Sequence, residues 1–434
     1  MEDKADVVVV GGGISGCAIA YNLAKRGKKV VLLEKDEIAF EGSGRTVAAV
    51  GLLGKQEGEF LFAEHSLRLY DRLSDELSYD VEFIKEGRLL PAEAEADRPI
   101  FREMVAAAKD AGVELELLGR EQVRRRFPYI EGGFYDMAYS PHEGHVNPVK
   151  VVDGFARAAR EYGVQIYTDC IATDIGVTGG RVTSVDTNKG EIKTDVVVNA
   201  AGVWAYRLAD RVGVHIPIQI VRLSQGETEP APRLIDPFVR SGIYCMRQTA
   251  SGNIRVSNGY RDQAVYHDLS FHDMRDIAVW LPRLIKQRKY VSFRLDMELL
   301  RYDLRAFLAS MRGRADQHIA PRNKEPRRAL HKVRRQLAAA GRLIPRLKRL
   351  SIQKHWAGYI DLTPDLLPVL GPVGRPEGFF LSMGFSGHGF ALGPMVGQLL
   401  AEMIIDGKPS IPLDMFSPDR FAKKDTPTNS PSDC

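Results

Sequence analysis

Strand, glycine turn, helix, strand, acid: the first thirty-four residues run in that order, and it restricts the fold of the chain more than any other feature. Asp6-Val7-Val8-Val9-Val10 is a short β-branched run, and Gly11-Gly12-Gly13-Ile14-Ser15-Gly16 follows it directly. The Ala and Leu spacing from Cys17 to Arg26 predicts a packed helix. Lys29-Val30-Val31-Leu32-Leu33 then predicts a second buried strand, ending at Glu34, eighteen residues after Gly16. Each part has a physical task. Gly11 permits the tight turn, Gly13 lets the backbone approach a pyrophosphate, Gly16 lets helix and strand close together, and Glu34 accepts from a ribose hydroxyl. The pyrophosphate would rest on the helix N-terminus, where unpaired amides and the dipole favour an anion. Taken alone, the motif admits either a nicotinamide or a flavin dinucleotide.

At 434 residues and 44% apolar content the chain has room for two or three domains around a sizeable core. Glu2-Asp3-Lys4 leads straight into the first strand, so no secretory signal is expected. No apolar run approaches about 18 residues, so no transmembrane helix is expected either. Cys17, Cys170, Cys245 and Cys434 are far apart and form no CxxC pair. That spacing offers neither a zinc nor an iron-sulfur site, and it suggests a reducing, cytoplasmic setting. The formal charge of +4 is unevenly distributed, because residues 283 to 349 carry 20 Lys and Arg against 5 Asp and Glu.

Further along, Glu41-Gly42-Ser43-Gly44-Arg45-Thr46 suits close backbone approach to a second part of a large cofactor. The run Asp195 to Trp204 reads as a buried parallel strand with a small-residue turn, which belongs beside the first strand. Alternating strands between 213 and 265, among them Ser241 to Arg247 and Asn253 to Ser257, predict a mostly antiparallel sheet. Near the other end, Phe379-Phe380-Leu381-Ser382, the turn Gly384 to Gly389 and a helix from Phe390 to about Ile405 again set a helix N-terminus against a ligand.

In order, the blocks Gly11 to Glu34, Gly42 to Arg45, Val196 to Trp204, Thr363 to Pro372 and Gly384-Phe385-Ser386-Gly387-His388-Gly389 carry a resemblance. They resemble the D-amino-acid oxidase superfamily of FAD-dependent amine oxidoreductases, near its sarcosine oxidase, glycine oxidase and amino-acid dehydrogenase branches. The fold class it implies is α/β, a Rossmann-like FAD-binding domain with an antiparallel-sheet substrate domain (α+β), to which this chain adds an inserted basic helical module. The expected boundaries are 1–80, 145–212 and 350–422 for a discontinuous FAD domain and 81–144 with 213–273 for the substrate domain. A basic helical insertion at 274–349 and a disordered tail at 423–434 complete the division.

The resemblance implies that FAD is held by Gly11, Gly13, Ile14, Ser15, Gly16, Glu34 and Lys35, then by Ser43, Gly44, Arg45 and Thr46. Ala200, Gly202, Trp204 and Gly358 follow, and Gly384, Ser386, Gly387, His388, Gly389 and Phe390 close the set. It also implies hydride transfer from the carbon next to an amine nitrogen to the flavin, giving an imine. For a carboxylate-bearing substrate it points to Tyr244 and Arg247, with Arg255 near the position of a lysine that assists oxygen activation in sarcosine oxidases. His388 would contact the flavin or the substrate. Two departures matter. Ala391 replaces a lysine of the sarcosine oxidases, which disfavours sarcosine itself, and the Trp356 to Pro372 block lacks a cysteine, which implies noncovalent FAD.

In the basic segment, 274–311 and 327–350 read as helices with apolar stripes, one at Leu300, Leu304, Phe307, Leu308 and Met311, the other at Leu330, Val333, Leu337, Ile344 and Leu347. An anionic membrane surface or a partner subunit reached through 283–349 is the expectation, with a lid over the site as the alternative. Membrane docking would place the enzyme on the inner face of the membrane with a quinone as acceptor. An oligomer is compatible with either, and no nucleic-acid module accompanies the charge. Rival readings are an oxygen-using oxidase, a 2-hydroxy acid oxidoreductase, and a noncatalytic or electron-relaying subunit of a hetero-oligomer.

Overall fold

The computed structural model describes residues 2–52, 59–110, 113–259, 265–269, 275–287, 291–311, 320–322 and 324–421. The tail expected at 423–434 lies outside the described residues. Two sheets organise the chain. The first has six strands in the order Val369–Pro372, Phe379–Met383, Val197–Asn199, Val7–Val10, Val30–Leu33 and Gln165–Tyr167. Its pairs are parallel except at the edge, where Val369–Pro372 runs against Phe379–Met383. Val8 faces Val197 on one side and Val31 on the other, so the opening motif occupies the centre of the sheet. Every residue of Val7–Val10 and Val30–Leu33 is buried, as uninterrupted β-branched and Leu runs require when helices cover both faces. Helix Ile14–Lys25 packs against the C-terminal helix Gly389–Asp406, and Gly393 and Gly397 leave room for Ile14 and Ala18 at their contact.

The second sheet has ten strands and is mostly antiparallel. Its spine is the long strand Gln219–Pro230, which pairs with Asn253–Asn258, Val265–Leu269 and Ile352–Leu362. Arg88–Pro91, Glu116–Leu118 and Met137–Ser140 extend the far edge. One expected boundary moves. The sequence pattern places Ile352–Leu362 with 350–422 in the cofactor domain, but the strand runs along Gln219–Pro230, from Ile352 opposite Thr228 to Leu362 opposite Gln219. The chain therefore returns to the six-stranded sheet only after Thr363.

The basic segment departs further from its sequence pattern. A strand, Val291–Leu295, interrupts the expected first helix and lies parallel to Val265–Leu269, leaving helices Ile277–Gln287 and Met297–Met311 on either side. Helix Leu330–Leu343 does not present its stripe to a membrane or another chain. Val333, Leu337, Ile344 and Leu347 are buried with Tyr244, Met246, Ile254 and Val256 on one face of the large sheet. An amphipathic helix needs an apolar partner, and the sheet of its own chain supplies it. Helix Met297–Met311 is rotated relative to its predicted stripe: Leu299 and Asp303 point inward, while Leu304 and Leu308 are exposed. Leu299 packs in one cluster with Trp204 and Tyr206, so this helix is seated on the six-stranded side. Among the described residues no helix is long and apolar enough to cross a membrane.

Candidate cofactor and substrate site

A cavity of about 1500 Å³, including its open mouth, lies between the two sheets. It is lined from the opening motif by Val10 to Ser15 and Leu33 to Lys35, and from the following loop by Phe40 to Ser43, Arg45 and Thr46. Cys170 to Ala172, Ala200 to Trp204 and Leu208 form a second part of the wall. The large sheet contributes Leu223, Gln225 and Gly358 to Asp361, and the C-terminal turn contributes Phe385, Gly387, Gly389 and Phe390. Ala320 reaches the wall from the basic segment.

Gly11 and Gly16 have the tight turn and the close packing that the motif requires. Gly11 has φ +116, and a Cβ there would lie 2.2 Å from the Ala200 carbonyl oxygen; one on Gly16 would lie 1.9 Å from the Gly11 carbonyl oxygen. Gly13 is the N-cap of Ile14–Lys25 and has no side chain of its own to cap the helix. Ser43 Oγ accepts from Ile14 N at 3.0 Å, which ties the second grip to the first. Glu34 accepts from the backbone N–H of Gly12 at 2.6 Å and of Asp36 at 2.8 Å, and burial pushes its pKa up. Each carboxylate oxygen retains a lone pair for a ribose hydroxyl. Lys35 is committed to Asp36 and Glu41.

Several expected residues support the wall without lining it. Gly44 packs against the Ala39 carbonyl, Gly384 has φ +69 and donates its N–H to Asp361, and Ser386 Oγ bonds within the same turn to Gly384 O and Thr363 N. His388 caps helix Gly389–Asp406 and turns its Nδ1 to the buried carboxylate of Glu59 at 3.0 Å.

The expected substrate residues are separated from the cavity. Tyr244 is buried on the opposite face of its strand, against helix Leu330–Leu343, because residues three apart on a strand face opposite ways. Arg247 does face the cofactor side, but its Nε donates to Val47 O at 2.7 Å and its Nη1 lies 3.3 Å from His145 Nδ1. Burial and the nearby Arg255 push the Arg247 guanidinium down to about 9. Arg255 donates to Thr46 O, pairs with Glu227 at 3.2 Å and covers the Trp356 ring.

Two residues absent from the sequence reading, Gln225 and Asp361, face the cavity instead, together with Glu41 from the Glu41 to Thr46 stretch. Glu41 accepts from Trp204 Nε1 at 3.1 Å through Oε1, while its Oε2 is buried with no partner. Gln225 is nine-tenths buried, and among the described residues its Oε1 has no hydrogen-bond partner. Asp361 is buried and accepts from Gly384 N at 2.6 Å. Neither Gln225 nor Asp361 belongs to a motif; strand parity would have brought Gln225 and Leu223 to one face, and only their place in the fold makes that face the cavity. Arg45 donates from Nε to Phe40 O and from Nη1 to Ala357 O, and Nη2 has no hydrogen-bond partner among the described residues.

Helix amides for a pyrophosphate, a carboxylate for a ribose, two cradles that a Cβ would fill and unsatisfied polar atoms along the wall fit a long dinucleotide that also carries a ring system. Among the described residues no cluster could hold a metal ion. The site and the paired sheets define a flavin-dependent oxidoreductase of the two-domain α/β type. The family model for FAD dependent oxidoreductase (DAO) matches residues 6–403, and the chain belongs to that family. It is 27% identical over 432 residues to human mitochondrial sarcosine dehydrogenase, covering 97% of this chain and 42% of that protein. It is also 26% identical to sarcosine oxidase subunit beta of Rhizobium meliloti strain 1021, covering 96% of this chain and 88% of that one. The L-amino acid deaminase of Proteus vulgaris has the same fold, with TM-score 0.87, 24% identity and coverage of 97% and 98%. The chain thus spans less than half the length of the sarcosine dehydrogenase and most of the length of the oxidase subunit. Its cofactor is FAD.

Proposed function

We propose that the protein oxidises the amine of an amino acid or an N-alkyl amino acid. A bound FAD supplies the hydride acceptor for the carbon next to nitrogen, and the product is an imine that water hydrolyses. Gln225 is the observation that carries this reading. A buried carboxamide oxygen without a partner costs about 1–3 kcal/mol, and the amine of an amino-acid headgroup cancels that cost. Its oxygen accepts an N–H of the amine and its nitrogen donates to the carboxylate. Arg45 Nη2 offers the compensating charge from the neighbouring wall. Arg247 and Tyr244 then act as supports of the sheet. Leu223, Phe385 and Phe390 exclude water from the same space. The chain's task is to hold a neutral amine at near-attack distance, without a nucleophile or a metal.

Anaerobic addition of D-, L- and N-alkyl amino acids, with 2-hydroxy acids alongside, tests the reading. Bleaching of the flavin by amino acids and not by hydroxy acids is expected. Bleaching by hydroxy acids alone, or by nothing in the panel, refutes it. Readmitting oxygen then separates an oxidase, which recolours at once, from a dehydrogenase.

The acceptor reading rests on a second observation. Ile277, Leu281 and Ile285 share one helix face and are about half exposed, as are Leu304 and Leu308 to a lesser degree. Beside the basic charge of this segment, that face suits an anionic membrane surface on the cytoplasmic side, and hence a quinone. Resemblance to an oxidase subunit makes a partner chain the competing occupant. Flotation with anionic liposomes decides: the intact protein should rise with them and an Ile277→Asp, Leu281→Asp variant should not.

A further inference from the structure

Asp361 lies near the end of strand Ile352–Leu362, opposite Ile220, with its carboxyl on the cavity wall. Its Oδ2 accepts from Gly384 N at 2.6 Å, and its backbone carbonyl accepts from Ser386 N at 2.9 Å, so it is fastened to the C-terminal glycine turn. No charged side chain among the described residues balances it. The neighbouring strand presents Ile220, Ser386 bonds to Thr363 and Gly384, and His388 on the same turn is directed to Glu59. Burial is the largest influence on its ionisation and pushes it up to about 6, against the lowering effect of the backbone amides.

The same turn starts helix Gly389–Asp406, and Gly387, Gly389 and Phe390 line the cavity there. The unpaired amides at a helix N-terminus favour negative charge on a ligand, whereas an ionised Asp361 opposes it. Adding two electrons to the bound cofactor increases negative charge in this space, and proton uptake by the carboxylate relieves the conflict. We propose that Asp361 is a proton acceptor coupled to flavin reduction. The hydride carries two electrons and one proton from the substrate to FAD, and the Asp361 carboxylate takes one further proton from solvent to become the neutral acid. Linkage makes the effect reciprocal: a reduced cofactor raises the proton affinity of Asp361, and a protonated Asp361 raises the midpoint potential. The proposal requires only that FAD is bound, whatever the substrate.

Potentiometric titration of the FAD-loaded protein between pH 5 and pH 9 tests it. One extra proton per two electrons changes the equilibrium tenfold per pH unit, or about 30 mV. The wild type should show a pH interval in which its potential falls about 30 mV per unit more steeply than that of Asp361→Asn. Parallel lines for the two proteins overturn the proposal. A second readout does not depend on the variant folding. The reduction-minus-oxidation infrared spectrum of the wild type at pH 8 should gain a protonated-carboxyl band that shifts when aspartate carboxyls are isotope-labelled. Absence of that band, or its failure to shift, overturns the proposal as well.

Discussion

Removing the Asp303 carboxylate should loosen the basic segment and the cofactor together. Asp303 and Arg207 are 6% and 3% exposed at their side chains and form an ion pair, to which Tyr206 Oη adds a hydrogen bond of 3.1 Å. Arg207 also bonds to Tyr206 Oη at 2.9 Å and covers the Trp204 ring. Trp204 lines the cavity, and helix Ala205–Arg211 follows it directly, so this pair joins Met297–Met311 to the cofactor wall. Asp303→Ala leaves a guanidinium buried without its carboxylate, which costs about 3–5 kcal/mol where a buried pair is broken from one side. A whole domain has about 5–15 kcal/mol to lose, so the segment should open locally before the fold melts. Limited proteolysis between 275 and 311 should accelerate, and FAD should dissociate faster, while the main thermal transition shifts less. Replacing both partners, as in Arg207→Met with Asp303→Leu, should restore much of the protection. A loss below about 1 kcal/mol, the value of an exposed pair, with unchanged FAD release would refute the reasoning.

Gly16→Ala must displace the Gly11 carbonyl, 1.9 Å from the new Cβ, and should abolish FAD retention, measured as flavin per chain after gel filtration. Gln225→Leu should keep its FAD but weaken substrate capture by about 10- to 100-fold, read as the amino-acid concentration that half-bleaches the flavin. Val333→Asp places a carboxylate against Tyr244 and Met246 and should lower the denaturation midpoint or prevent folding, whereas a membrane-facing helix would tolerate it. For Asp361 the folded state favours the neutral acid, so the stability it contributes is full below pH 4, the unfolded range, and is lost as pH rises through about 6. A raise of about two units is about 3 kcal/mol. FAD-free Asp361→Asn should therefore exceed the wild type in urea stability at pH 8, with the gap closing toward pH 4.

Recognition from sequence worked where local geometry and ligand chemistry impose the same residue. Gly11 is needed for both a positive φ and an approach to Ala200, and Glu34 ends a strand that has one place in the sheet. It failed where the requirement was set by distant chain. Leu337 and Val333 form the same stripe whether a membrane or a sheet lies opposite, and periodicity does not name the partner. Tyr244 and Arg247 look like a pair three residues apart, yet an odd separation on a strand puts one toward the cofactor and the other toward a helix. Ile352–Leu362 carries the alternating character of either sheet, and only its pairing with Gln219–Pro230 places it.

The arginines expected to bind substrate have a different physical task, visible in the loop they touch. Trp356 Nε1 donates to Arg45 O at 3.1 Å, Arg255 Nη1 to Thr46 O at 3.2 Å, and Arg247 Nε to Val47 O at 2.7 Å. Three donors from three strands of the large sheet therefore hold three consecutive carbonyls. Arg247 lies opposite Arg255, and Arg255 opposite Glu227 on Gln219–Pro230, the strand on whose other side Trp356 faces Gln225. The rung has one partly buried carboxylate for two guanidiniums, and the loop carbonyls take up the donors that Glu227 leaves. Pinning 45–47 fixes the backbone from which Arg45 projects into the cavity, and Gly358 leaves the space in which Arg45 lies, 3.3 Å from where a Cβ would be. On the proposed reading, Arg45 Nη2 would meet the substrate carboxylate, and the cations behind it keep that group in place. Loss of either strand arginine should move Arg45 before it unfolds the sheet.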